Sequence, residues 1–248
     1  MSIPNPPIIG YENLLRQGLL SSNAGTPASA VDWRLDRAWQ PGTTTSWLEV
    51  SLNAARPANY CALIGHNLAG GSLRVRSYIG SSYQTVATIS PASAHCRMLF
   101  FNTVSSNRWR IECTTTSATI LALVAVGQSL PLDSGLRQGF VPPPFTQQAE
   151  VVTTASQHGL PLGRSLRKRA GRLTINCTDL DEQWMRSEWL AFRAHALALP
   201  FFLSWNPEQF PHEAGLCWAE SAPAGNAYTQ PGFMDGNMSC RVLTEVVV

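Results

Sequence analysis

Lysine is almost missing from this 248-residue chain: Lys168 is the only one, against 17 arginines. Charge of either sign is scarce, at 14% of residues, where ordinary domains carry roughly 25%. That scarcity, with 44% hydrophobic residues, excludes intrinsic disorder, which needs low hydrophobicity and high net charge. It also speaks against a highly solvated monomer and for a surface partly covered by something else. The formal net charge of +2 is too small for nucleic-acid binding driven by the charge of the whole chain. The lysine deficit has two readings, a biased genome composition and a preference for the planar arginine fork, which suits interface ion pairs.

Other absences narrow the function classes. No C-x-x-C pair occurs among Cys61, Cys96, Cys113, Cys177, Cys217 and Cys240, and no histidine stands at zinc-finger spacing from them. Buried free thiols are the expectation, with metal or disulfides as alternatives. G-x-S-x-G, H-E-x-x-H and the P-loop pattern are all absent. The five histidines are dispersed, and His212-Glu213 near Cys217 lacks a four-ligand spacing. The expectation is no enzyme, no metal and no cofactor. The most apolar run, Ala118 to Val126, falls short of the ~20 residues a spanning helix needs. Met1-Ser-Ile-Pro-Asn-Pro-Pro7 has neither the basic nor the apolar region of a secretory signal.

What is present divides at Gly139-Phe-Val-Pro-Pro-Pro-Phe145, where three prolines favour an extended hinge. The pattern predicts a mostly β chain: a β-sandwich over 1–138 and an α+β unit over 139–248. Before the hinge, Trp47–Leu52, Tyr60–Ile64, Ser72–Ile79, Arg97–Phe101, Arg108–Cys113 and Thr119–Val126 read as strands separated by Gly-, Ser- and Asn-rich turns. After it, Gln148–Thr154 and Gly171–Cys177 read as strands. One helix is expected over Asp179–Leu199, capped by Asp179 with Glu182 completing a capping box. Met185, Trp189, Phe192, Ala196 and Leu199 form its apolar stripe, and Pro200 stops it. Phe201–Trp205, Leu216–Glu220 and Met238–Val247 complete the unit as strands, with residues 1–10 as candidates to pair with it.

The first half resembles the galactose-binding-like (discoidin-type) jelly roll. The carriers are Asn13-Leu-Leu15, the loop Ser21–Ser29 leading to Ala30-Val-Asp-Trp-Arg34, Trp47-Leu-Glu-Val-Ser-Leu52, Tyr60-Cys-Ala-Leu-Ile-Gly-His-Asn67, Gly71–Val75, Arg108-Trp-Arg-Ile111 and Ile120–Gly127. Ser51 stands where the family pattern has Asp. The resemblance places Trp33, Trp39, Asp32, Arg34 and Arg37 in the loop region some members use to bind sugars. A glycan platform and plain packing of the two tryptophans are the competing readings there, since fold does not fix function.

The second half resembles tail-tip and tail-tube-related proteins of long-tailed bacteriophages. Its carriers are the stretch Gly163–Ile175, read as strand, basic loop and strand, then the Asp179–Leu199 helix and Pro200-Phe-Phe-Leu-Ser-Trp-Asn206. Arg164, Arg167, Lys168, Arg169 and Arg172 put five positive charges into nine residues. Contact with carboxylates of a neighbouring subunit, a solvated loop, and the lining of a channel through which DNA passes are the three uses, the first being favoured.

Together these imply a structural virion protein at a phage tail tip, a distal or minor tail protein forming a ring. A hexamer is the first expectation and a trimer the second. Partners would be other copies, the tail tube, hub, tape measure and fibres, and a host-surface glycan. No membrane insertion and no specific nucleic acid are expected. The alternative is a carbohydrate-binding adhesin or accessory module.

Overall fold

Alternation of apolar and polar residues organises most of the chain into strands. The computed structural model describes residues 6–132, 134–158, 160–220 and 226–246; at 148, 149, 155, 161, 164 and 166–169 it describes the backbone alone. The strands are β1 (Ile8–Gly10), β2 (Leu19–Ser22), β3 (Thr45–His66), β4 (Ser72–Ile79), β5 (Ser82–Ile89), β6 (Arg97–Thr114), β7 (Leu121–Gly127) and β8 (Ser129–Pro131). The second half adds β9 (Gln148–Ala155), β10 (Pro161–Arg169), β11 (Gly171–Asp181), β12 (Phe201–Ser204), β13 (Ala214–Ala219), β14 (Tyr228–Gln230) and β15 (Phe233–Leu243). The single long helix α1 covers 182–198, with a π-helical turn at Met185–Trp189. The protein is therefore mostly β, with a sandwich and one long helix, as its sequence pattern predicts.

Two strands are longer than expected. Trp47–Leu52 and Tyr60–Ile64 belong to one strand, β3, and Arg97–Phe101 and Arg108–Cys113 to another, β6. Their pairing is broken by register shifts between Ser51 and Arg56 and between Ala58 and Tyr60. Such irregularities bend a strand, and here they let β3 and β6 serve both layers of the sandwich. One layer is β2–β3–β6–β4–β5; in the other, the second half of β3 pairs with β7 and with the start of β6. Leu48, Val50, Leu73, Val75, Trp109 and Ile111 of the first layer meet Cys61, Leu63, Val124 and Val126 of the second in one core.

The seven-stranded second sheet has the order β11–β15–β13–β12–β1–β8, with β14 beside β15. Strands β1 and β8, from before the proline segment, thus lie in it. Both of its faces are buried at β12 and the start of β13, while β11 and β15 leave one face exposed. Phe201, Leu203, Cys217, Ile175 and Cys240 pack under Met185, Trp189, Phe192 and Ala196 of α1. Phe202, Ala214 and Leu216 pack instead on Tyr60, Ala62, Ile64, Leu123 and Ala125 of the sandwich. The molecule is a stack of three β layers with a helix on one end. Fully burying each large apolar side chain contributes roughly 1.5–3 kcal/mol, so this shared third core welds the halves. The Cys96 amide donating to the Thr244 carbonyl (2.6 Å) adds to the joint. The expected hinge is accordingly a packed corner: Pro143–Thr146 forms a 3-10 turn with Pro143 and Thr146 buried, against Gly215 and Gly171 respectively.

Two further expectations need correction. The helix begins at Glu182, because Asp181 and not Asp179 caps it, its carboxylate accepting from the amides of Gln183 (2.9 Å) and Trp184 (3.0 Å). Asp179 sits at the register shift of β11 with φ of 58°, a left-handed conformation incompatible with a helix start. The basic run is not a loop either. Pro161–Arg169 pairs with β9 as a hairpin, with one register shift between Pro161 and Gly163.

Candidate functional site

A cleft of about 660 Å³ opens between the sandwich and α1. Its floor is the strap 10–13, held by sequence features on both sides. Gly10 allows Tyr60 to lie against the strap, since a Cβ there would stand 2.5 Å from the ring. The Tyr60 hydroxyl then donates to the Glu12 carbonyl. Asn13 caps the 3-10 turn Leu14–Arg16 by accepting from the Leu15 amide (3.1 Å), and its own amide donates to the Val124 carbonyl (3.1 Å). These bonds present Tyr11, Glu12 and Arg16 to the cleft.

The polar groups are interlocked. Arg56, at the irregular part of β3, donates to the Glu12 carboxylate at 2.7 Å. The Gln128 amide donates to the other Glu12 oxygen (3.3 Å). From α1 come Glu188 and His195, and Leu199 follows directly after its end. The His195 ring lies 5.2 Å from that of Tyr11. Burial pushes the His195 pKa down, and nearby Arg16 adds to it. Burial pushes the Tyr11 phenol up, as do the charges of Glu188 and Glu12. Trp33 forms a wall, its ring edge-on to His195 and under the Arg16 guanidinium, 5.7 Å from the ring centroid. The Trp33 indole N–H is buried and has no acceptor among the described residues. The cleft thus offers an aromatic wall, two carboxylates and two guanidiniums.

The loop residues singled out in the sequence do not meet in one site. Trp33 enters the cleft. Trp39 is 1% exposed within the sandwich core, and its indole donates to the Ala24 carbonyl at 2.8 Å, so neither ring face is open. Arg34 bonds Asp32 at 3.0 Å at the surface and holds its carboxyl below the usual range. Arg37 is exposed. Of the basic run, Arg164, Arg167, Lys168 and Arg169 have side chains outside the described residues. Arg172 lies on β11 and reaches Glu220 of the same chain (3.3 Å), which Arg241 also engages.

Tyr11, Glu12, Arg16, Arg56 and Glu188 carried no motif; only the fold collects them. All six cysteines are free and buried, and burial raises their pKa values, those of Cys113, Cys177 and Cys240 to about 12. No trio of His, Cys, Asp or Glu suited to a metal occurs among the described residues. No helix there is long and apolar enough to cross a membrane.

No family model matches the chain, and no curated protein does. Solved structures do. One is chitosan-binding module 1 of a chitosanase/glucanase from Paenibacillus sp. IK-5, at 17% identity and TM-score 0.40, covering 46% of this chain and 98% of that one. Another is a module from Clostridium perfringens in complex with GalNAc-β-1,3-galactose, at 10% and 0.38, covering 44% and 94%. A Ruminococcus gnavus GH29 fucosidase matches at 11% and 0.42 over 48% of this chain, which spans only 27% of the enzyme. The first two of these neighbours are carbohydrate-binding modules, and none of the three is a tail protein.

Proposed function

We propose that the protein binds a carbohydrate without turning it over, and that the saccharide occupies the cleft between the sandwich and α1. The single observation that carries this reading is the cleft itself, where the Trp33 ring stands beside the Glu12 and Glu188 carboxylates and the Arg16 and Arg56 guanidiniums. A sugar presents apolar C–H faces and hydroxyls that both donate and accept. Its apolar face can pack against the wall formed by Trp33 and Arg16 while its hydroxyls exchange hydrogen bonds with Glu12, Glu188 and Arg56. Pockets of this size with a few convergent polar groups are the usual form of small-ligand sites. An oligosaccharide array followed by calorimetry tests it. Trp33→Ala is expected to abolish binding that Arg37→Ala leaves intact. Binding unchanged by Trp33→Ala refutes the cleft as the site.

A second reading, a ring-forming structural protein of a phage tail tip located in the virion, is favoured by a different observation. The hairpin β9–β10 pairs with no third strand among the described residues, yet exposes Val151, Val152, Leu160 and Leu162, the last two by 65% and 68%. A lone two-stranded hairpin is marginal in water, and open edges invite pairing with another copy. Under this reading copies close into a ring, six first and three second, contacting tube, hub, tape measure and fibres. Sedimentation over a wide concentration range tests it. A chain that stays monomeric at every concentration discards the ring.

A further inference from the structure

The outward face of the first sandwich layer is a ruled surface of arginine, glutamate and aromatic residues. Across β3, β6, β4 and β5 the pairing register sets up three rows. The first is Trp47, Glu112, Arg74 and Thr88, and the second is Glu49, Arg110, Arg76 and Thr85. In the third, Ser51 faces Arg108, and Tyr78 faces Tyr83. In a chain so poor in charge, four arginines and two glutamates on one sheet face are a marked concentration.

The middle of this face is locked. Arg110 donates twice to Glu49 Oε2, at 2.9 and 2.7 Å, and its guanidinium lies 4.4 Å from the Trp47 ring centroid and 4.1 Å from that of Tyr83. Arg76 donates to Glu112 at 2.7 Å and to the Tyr83 carbonyl at 2.8 Å. These bonds hold the side chains rigid at no cost to a ligand, since their ordering entropy is lost on folding. Arg74 and Arg108 differ. Both are exposed and neither has a carboxylate partner among the described residues; Arg108 only stacks over Tyr78, at 5.3 Å. They are the unneutralised cations of the face, and they account for a net charge as large as the +2 of the whole chain.

We propose that this face is a second binding surface, for an acidic polysaccharide, with Arg74 and Arg108 each gripping one anionic group of the polymer. The proposal goes beyond the cleft and does not depend on it. The spacing selects the ligand. Arg74 and Arg108 lie two rows and one strand apart, roughly 14 Å from the ordinary strand rise and separation. Anionic groups that far apart belong to a polymer with neutral stretches between its charges. The hydroxyls of such a stretch meet Glu112, Ser51 and Thr85, and its ring faces meet the aromatic side chains. A nucleic acid is a poor match. Duplex DNA carries a charge every ~1.7 Å of axis, and two free cations release too few counterions for binding that survives physiological salt. The fixed carboxylates of Glu49 and Glu112 would repel the phosphates between.

Retention on immobilised hyaluronan, whose carboxylates are separated by a neutral sugar, and on keratan sulfate, a sulfated polymer without carboxylates, tests this at ~0.15 M ionic strength. The two arms separate the sources of the anionic group. Wild type is expected to bind at least one, with R74A/R108A weakened roughly tenfold per arginine. Both side chains are exposed, so the melting temperature should not move. Trp33→Ala should leave this retention intact, which separates the surface from the cleft. Three results overturn the proposal: no retention of wild type on either polymer, retention unaffected by R74A/R108A, or equal retention on double-stranded DNA.

Discussion

His66 should make the fold lose stability as the pH falls from 7 to 5. The ring is 1% exposed at the end of β3. Its Nε2 lies 3.2 Å from the His95 carbonyl and its Nδ1 accepts from the Leu68 amide at 3.3 Å. That arrangement admits one neutral tautomer. Protonating Nδ1 would turn the acceptor into a second donor pointed at an N–H. Burial, outweighing the hydrogen bond to His95, brings the pKa down from 6.5 to about 4, with Arg97 helping. The native state therefore stays neutral where the unfolded chain takes up a proton. The stabilisation is complete above pH 6.5 and lost as pH falls from there towards 4. Between pH 7 and pH 5 the linkage is worth about 2 kcal/mol. Carboxylates titrate mostly below that window. Urea unfolding at pH 7, 6 and 5 measures it, with His66→Gln as the reference. The variant should show a clearly smaller pH dependence, the rest coming from groups such as His195, whose pKa is also depressed by burial. Equal slopes for wild type and variant, or a His66 titration midpoint near 6.5 by NMR, would refute the reasoning.

Other consequences follow from the stacking of layers. Phe202→Ala removes the fully buried ring that the second sheet places against the sandwich, and should cost about 3–5 kcal/mol. Because that core is shared, calorimetry should still show one transition; two separated transitions would mean the halves fold independently. Asp181→Ala removes both cap bonds of α1 and should cost ~1 kcal/mol of unfolding free energy, read as a lower denaturant midpoint. No loss on that substitution would place the helix start elsewhere.

Much of the secondary structure was legible because it is written in local periodicity. Ser72–Ile79 alternates and is β4 to the residue. Met185, Trp189, Phe192 and Ala196 recur at helical spacing and are buried against the second sheet. Strand β5 was missed because Ser82–Ile89 is an edge strand with little fully buried and hence no strong apolar alternation. The basic run looked like a loop because charge dominates its composition, while its strand character comes from pairing with β9.

By itself the sequence determined the β-rich class, the single helix, the buried thiols and the arginine-for-lysine bias, since each depends on composition or on neighbours a few residues apart. Only the tertiary structure decided which side chains would meet. Trp33 and Trp39 look alike in the chain, yet one walls a cleft and the other fills a core. Glu12 reaches Arg56, and Arg110 reaches Glu49, across 44 and 61 residues respectively. Such pairings are set by sheet register and layer packing, and no local pattern encodes them.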